Sequence, residues 1–160
     1  LQERRVGREY LAIVQGVMVA GGTVDAPIGR HPVDRKRQAV IREGKAAVSH
    51  YRVVERYRAH TQVRVKLETG RTHQIRVHMA HIRHPLVGDP VYGGRLRMPK
   101  GGSEALIVAL RGFRRQALHA QRLTLRPPDQ SEVLEWEAPD PDDLQQLITV
   151  LRQDAEGAAA

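Results

Sequence analysis

This chain of 160 residues predicts an α+β fold with a largely antiparallel sheet. Short β-rich runs follow one another in hairpin order, Ile75, Met79 and Ile82 recur at helical spacing between them, and Leu144, Leu147, Ile148 and Leu151 mark a helix at the end. The length suits a single core and there is no internal repeat, so residues 1–152 are expected to form one unit, with a disordered tail over 153–160.

Residues 8–18 carry Tyr10, Leu11, Ile13, Val14 and Val17 and read as a strand. Ala20-Gly21-Gly22 turns the chain, and residues 23–28 return as a second strand. The basic stretch over 30–37 (RHPVDRKR) holds a proline and too much charge for a core; a solvated turn and a phosphate-contacting finger are its two readings. Residues 38–41 make a short strand, and Gly44-Lys45 turns into a half-exposed strand over 46–58. Over 62–67, Val63, Val65 and Leu67 alternate with Arg64 and Lys66, the clearest period-two run. Glu68-Thr69-Gly70 then turns sharply into the first helix, for which His73 is the expected first residue and Thr72 the cap, with Pro85 ending it at or before His84. Residues 95–103 read as a mobile loop rich in Gly, Pro and Arg, 104–110 as a short helix and 116–125 as a strand. Pro127-Pro128-Asp129 turns the chain into a last strand over 133–136, with Trp136 expected in the core. The terminal helix starts at Asp140 or Asp142.

Lys and Arg number 26 against 18 Asp and Glu, a formal charge of +8 that suits a polyanionic partner. A basic protein with no such partner is the plainer alternative. There is no long apolar run and no basic amphipathic helix, so no membrane partner is expected. Without cysteine there is no disulfide framework and no thiolate nucleophile, which fits a reducing compartment, and the cytoplasm is the expected location. The chain starts at Leu1 and enters a charged run, Gln2-Glu3-Arg4-Arg5, as a piece of a longer polypeptide would.

Most of the chemistry-bearing side chains fall within residues 67–94. A helix start that follows Gly70 and carries Arg71, His73, Gln74 and Arg76 gathers backbone amides and cationic groups suited to phosphate or carboxylate. Pairing with carboxylates of the same fold is an equal reading for Arg71 and Arg76. His73, His78, His81 and His84 raise a metal site, but no cysteine and no HExxH pattern accompanies them, and no metal is expected. Asp89, between Gly88 and Pro90, reads as a turn residue that accepts local backbone hydrogen bonds rather than as a nucleophile.

The stretch GRTHQIRVHMAHIRHPLVGDPVYGG over 70–94 closely resembles the third conserved motif of RluA-type RNA pseudouridine synthases. GREYLAIVQG over 7–16 and RQALHAQRL over 115–123 extend the resemblance to nearly the whole chain. It implies the C-terminal part of a pseudouridine synthase catalytic domain, a mixed sheet with flanking helices around a cleft. The HRLD-type segment that carries the family's nucleophilic aspartate has no counterpart here and is expected upstream of Leu1. The implied activity is conversion of uridines in large-subunit ribosomal RNA to pseudouridine without a cofactor, and this chain alone is expected to be inactive. A stem-loop of that RNA, or its precursor particle, is the implied partner, and the protein is expected to be a monomer.

By the same resemblance Tyr10 is the active-site tyrosine, stacking on the uracil and serving in proton transfer. Arg76 is the basic residue that pairs with the missing aspartate, so in this chain it is expected to lack its counter-charge. Leu118 and Leu123 are the candidates for walling the uracil pocket. RNA contacts are assigned to Arg30, Arg35, Lys36, Arg37, Arg71, His73, Gln74, Arg95, Arg97 and Lys100. The alternatives are a non-catalytic basic RNA-binding module and a metal-dependent hydrolase that uses the histidines. Strand edges are expected to be exposed near Tyr10.

Overall fold

The computed structural model describes residues 6–129 and 132–159; the charged run over 2–5 lies outside them. In chain order the elements are β1 (Val6–Gln15), β2 (Gly22–Asp25), β3 (Ile28–Arg30), β4 (Gln38–Val40), β5 (Val48–Arg56) and β6 (His60–Leu67), followed by α1 (Gln74–His81), α2 (Glu104–Gly112), β7 (Leu118–Leu125), β8 (Leu134–Glu137) and α3 (Asp142–Ala159). Six strands form one sheet in the order β2-β5-β6-β1-β7-β8, and β3 and β4 form a separate ribbon. All of these pairings are antiparallel. The α+β class with its antiparallel sheet stands as the sequence predicts.

The Leu11-Ala12-Ile13-Val14 run explains why β1 lies inside the sheet. A strand apolar at every position has two faces to bury, which an edge or a half-exposed position does not provide. Leu11 and Ile13 pack with Leu106 and Leu110 of α2 and with Leu144, Leu147 and Leu151 of α3. Ala12 and Val14 pack on the other face with Val63 and Val65 of β6 and with Ile75 and Met79 of α1. The result is a sheet between two helical layers. Tyr10 therefore does not sit at an exposed edge: it stands opposite Val65 of β6 on one side and Ala120 of β7 on the other, and the sheet's edges are β2 and β8.

Other expectations are corrected. The strand expected over 23–28 splits, because Pro27 has no N–H for a ladder; β2 stays on the main sheet while β3 leaves it to pair with β4. Trp136 is not core: it is 50% exposed on β8, whose four residues are all exposed and which has β7 as its strand neighbour. The tail expected to be disordered is helical over residues 153–159, since α3 runs to Ala159. A helix already nucleated upstream extends readily through alanines, the residues of highest helix propensity. The loop over 95–103 is held rather than free. Arg58 donates to the carbonyls of Lys100 and Gly101, and the Ser103 amide donates to Asp154. Ser103 in turn caps α2 by accepting from the Leu106 amide.

The first helix starts one residue later than expected and without a threonine cap. His73 occupies the cap position in the left-handed region (φ 56°) and its side chain makes no cap bond. Gln74 does the local work instead. At 3% exposed, its Oε1 accepts from the Thr69 hydroxyl and the Arg71 amide, and its Nε2 donates to the Val48 carbonyl and Ser49 Oγ. The helix closes before Pro85 with paired bonds, from the Arg83 amide to the Ala80 carbonyl and from the His84 amide to the Met79 carbonyl. This is a Schellman ending with Arg83 (φ 69°) at the left-handed position usually given to glycine. No helix among the described residues is long and apolar enough to cross a membrane.

A candidate active-site cleft at the start of the first helix

A cleft of about 430 Å³ opens where the start of α1 faces β1 and β7, and Arg8, Tyr10, Arg71, His73, Arg76 and Leu118 line it. Tyr10 reaches it from the sheet face that packs on α1, half-buried beside the apolar cluster of that face. In the β1–β7 pairing the register shifts between Glu9 and Tyr10, with Gln121 the extra residue on β7. The Tyr10 hydroxyl makes no hydrogen bond among the described residues, so the phenol is available to whatever enters. Leu118, the first residue of β7, forms the opposing wall, and Leu123 instead lines a separate recess with Arg8, Tyr10 and Trp136.

Arg76 is not without a counter-charge. Its Nε donates to Asp89 Oδ2 and its Nη2 to Asp89 Oδ1, each at 2.8 Å. Asp89 is also the turn residue the sequence indicates, accepting from the amides of Val91 and Tyr92. The turn can approach so closely because of Gly88 (φ 76°), where a Cβ would lie 2.2 Å from the Arg115 carbonyl oxygen. Burial pushes the Asp89 carboxyl up, but the Arg76 guanidinium and the two amides outweigh it and hold it below the usual carboxylate range. The hydrogen bond to Asp89 likewise raises Arg76 further above its ordinary value. Both groups are charged at neutral pH.

Tyr92 knits this corner together. Its hydroxyl accepts from the Gln38 amide and bonds His73 Nδ1 at 2.8 Å, and its ring carries the guanidinium carbons of Arg37 and Arg76 at 5.2 and 4.9 Å from the centroid. Burial, followed by the nearby Arg76 charge, lowers the pKa of His73, with Asp89 opposing.

A second hollow of about 610 Å³ adjoins the cleft at Gly70 and Arg71, with Arg30, Arg35 and Lys45 along it. The β3–β4 loop that brings Arg30 and Arg35 there is internally bonded: His31 Nδ1 accepts from the amides of Val33 and Asp34, and the Arg37 amide donates to the Asp34 carbonyl. Arg37 turns inward onto Tyr92, whereas Lys36 stays exposed. Arg71 spends its Nε on the Ala46 carbonyl. Gln74 touches the cleft with its polar atoms already committed to the fold. Arg97 is elsewhere, in a recess beside Gln15 and His60, and Lys100 lies against Arg58; Arg95 is exposed.

The four histidines of residues 73–84 separate. His78 is buried between Ser49 Oγ and the Ala26 carbonyl, His84 bonds the Gln15 carbonyl, and His81 is exposed. Among the described residues no group of three or more His, Asp or Glu is placed to hold a metal ion. Sequence reasoning passed over Arg8, Lys45 and Tyr92. Arg8 had a signal, standing two residues before Tyr10 on a strand and hence on the same face; Tyr92 sits in a turn and Lys45 on an isolated bridge to Ile28, where no periodicity shows where a side chain goes.

Comparison with known proteins agrees with this architecture. The family described as RNA pseudouridylate synthase matches residues 1–81. The chain is 62% identical over 156 residues to ribosomal large subunit pseudouridine synthase D of Pseudomonas aeruginosa, covering 98% of this chain and 49% of the relative. The protein of the same name from Escherichia coli is 61% identical over 156 residues, with 98% and 48% covered. Among solved structures, human RNA pseudouridylate synthase domain containing 1 superposes with a TM-score of 0.70 at 28% identity, over 94% of this chain and 67% of that one. Human RNA pseudouridylate synthase domain containing 4 gives 0.70 at 26%, over 93% and 63%. The chain belongs to the RNA pseudouridylate synthase family. It spans about half the length of the curated relatives it matches.

Proposed function

We propose that this chain is the C-terminal part of the catalytic domain of an RNA pseudouridine synthase, and that the whole protein acts on a stem-loop of large-subunit ribosomal RNA or its precursor particle. The observation that carries the reading is the convergence of Tyr10, Arg76 and Leu118, from three distant stretches, on one cleft beside a cationic hollow. The names of the curated relatives support ribosomal RNA as the substrate.

The reaction exchanges the bond from ribose C1′ to uracil N1 for one to C5; N1 gains a proton and C5 loses one, with no net redox change. The uridine leaves its stack to reach the cleft. There the Tyr10 ring packs on the base and its free hydroxyl moves a proton, while Leu118 keeps water from the detached uracil. Arg76 presents its remaining nitrogen, Nη1, to a carboxylate supplied by an HRLD-type segment outside this chain, keeping that group ionised and directed. Phosphates flanking the target lie along the hollow of Arg30, Arg35, Lys45 and Arg71. No cofactor takes part. The protein works as a monomer in the cytoplasm.

The test is tritium release from uridine C5 in a ribosomal RNA transcript, with the 160-residue chain compared to the same chain extended upstream. Turnover only by the extended protein is expected. RNA binding without turnover by the extended protein would leave a binding module in place of an enzyme, and equal turnover by the short chain would remove the role given to the upstream carboxylate.

A further inference from the structure

Asp89 occupies only one edge of the Arg76 fork. Nε and Nη2 are taken by the two carboxylate oxygens, whereas Nη1 has no partner among the described residues and Arg76 lines the cleft. Two parallel bonds fix a planar guanidinium in orientation as well as position, so they also fix the direction in which Nη1 points. Asp89 is itself immobilised from behind. Its side chain is 0% exposed, Oδ1 is shared with the Val91 and Tyr92 amides at 2.9 and 3.0 Å, and the Tyr92 ring covers the guanidinium. The turn over 88–93 is thus a rigid clamp whose open side is the cleft.

We infer that Asp89 is a positioning residue for the reaction: it holds the Arg76 fork by one edge so that Nη1 meets the reacting carboxylate in the cleft. This rests on the reading of the cleft as a synthase site. A purely structural Asp89 would need only to cap its turn and neutralise a buried arginine, and the two roles separate chemically. Asp89→Asn keeps an oxygen for the Val91 and Tyr92 amides but sets an amide N–H₂ against Arg76 Nε, donor against donor, so the turn survives and the fork loses its seat.

The experiment uses the upstream-extended protein and a ribosomal RNA transcript, with tritium release for kcat and KM and thermal melting for the fold. Asp89→Asn is expected to lower kcat by about 10- to 100-fold, the cost of misplacing a reacting group by about 1 Å, with KM within about twofold. Arg76→Ala is expected to abolish turnover, and the double variant should be no worse than Arg76→Ala alone, because Asp89 acts through Arg76. Asp89→Glu guards against a folding defect. It retains a carboxylate for the buried guanidinium but lengthens the arm by one methylene and turns the fork, so kcat should fall here as well. Wild-type kcat in whichever variant folds, with Arg76→Ala inactive, overturns the positioning role and leaves the cleft reading standing; full turnover by Arg76→Ala sinks the cleft reading itself.

Discussion

Arg58 and Asp154 lie 96 positions apart and meet at 3.1 Å, joining the β5–β6 turn to the last helix. Asp154 is 6% exposed and also accepts from the Ser103 amide at 2.6 Å, so one carboxylate holds α3, the residue that caps α2 and, through Arg58, the loop before it. Asp154→Ala strands that amide and removes the counter-charge of the Arg58 guanidinium, which keeps its bonds to the Lys100 and Gly101 carbonyls. The Arg58 side chain is 24% exposed and regains some water, so the expected loss is about 1–3 kcal/mol rather than that of a sealed pair. Urea denaturation of the two proteins measures it, and an unchanged midpoint would contradict the account.

Tyr10→Phe keeps the ring in the cleft and removes only the hydroxyl. If that hydroxyl moves a proton, kcat in the extended protein falls by about 100-fold or more while RNA affinity is preserved. Loss of affinity in step with rate would point to packing alone.

Charge neutralisation should be regional. Arg30→Ala combined with Arg35→Ala removes two cations from the hollow next to the cleft, and the slope of log affinity against log salt should flatten by about one to two. Arg97→Ala, in the separate recess that it lines with Gln15 and Arg83, should leave the slope nearly unchanged. The reverse ranking would relocate the RNA path to that side of the molecule.

His60 makes the fold acid-sensitive. Burial pushes its pKa from 6.5 to about 4, with Asp154 opposing, and its Nδ1 has no hydrogen-bond partner. The folded ring stays neutral while the unfolded one takes up a proton below 6.5, so its contribution is complete above pH 6.5 and declines as pH falls towards 4, by about 3 kcal/mol in all. His78 is displaced in the same direction, chiefly by burial. Between pH 7 and pH 5 the wild type should lose about 2 kcal/mol more than His60→Asn. Parallel pH profiles for the two would rule His60 out as the source.

What was readable in the sequence was whatever a period expresses. Val63 and Val65 alternate into one core face, Leu144, Leu147, Ile148 and Leu151 fall on one side of α3, and Ile75 and Met79 of α1 pack into the same core cluster as Val63 and Val65. Asp89 was readable as a turn residue from its Gly and Pro neighbours. Its bond to Arg76 was not, because a contact between a helix and a turn 13 positions later leaves no spacing rule behind. Trp136 misled for a related reason: bulk and β-propensity place a residue on a strand but do not say whether a second layer covers that strand. Thr72 satisfied the composition rule for a cap, yet the Gln74 amide that it would cap donates to the Arg71 carbonyl instead.

The central place of β1 also sets an order of events during synthesis. Tyr10 leaves the ribosome before its strand neighbour Ala120, which follows several seconds later at roughly 5–20 residues per second. In that interval β1 can zip onto β6, since Val65 is already made, but one flank of the tyrosine faces solvent. Leu118 arrives with β7, so the wall it provides is fitted last. A nascent or prematurely terminated chain that stops short of β7 can hold Tyr10 and Arg76 yet lacks the Leu118 wall of the cleft.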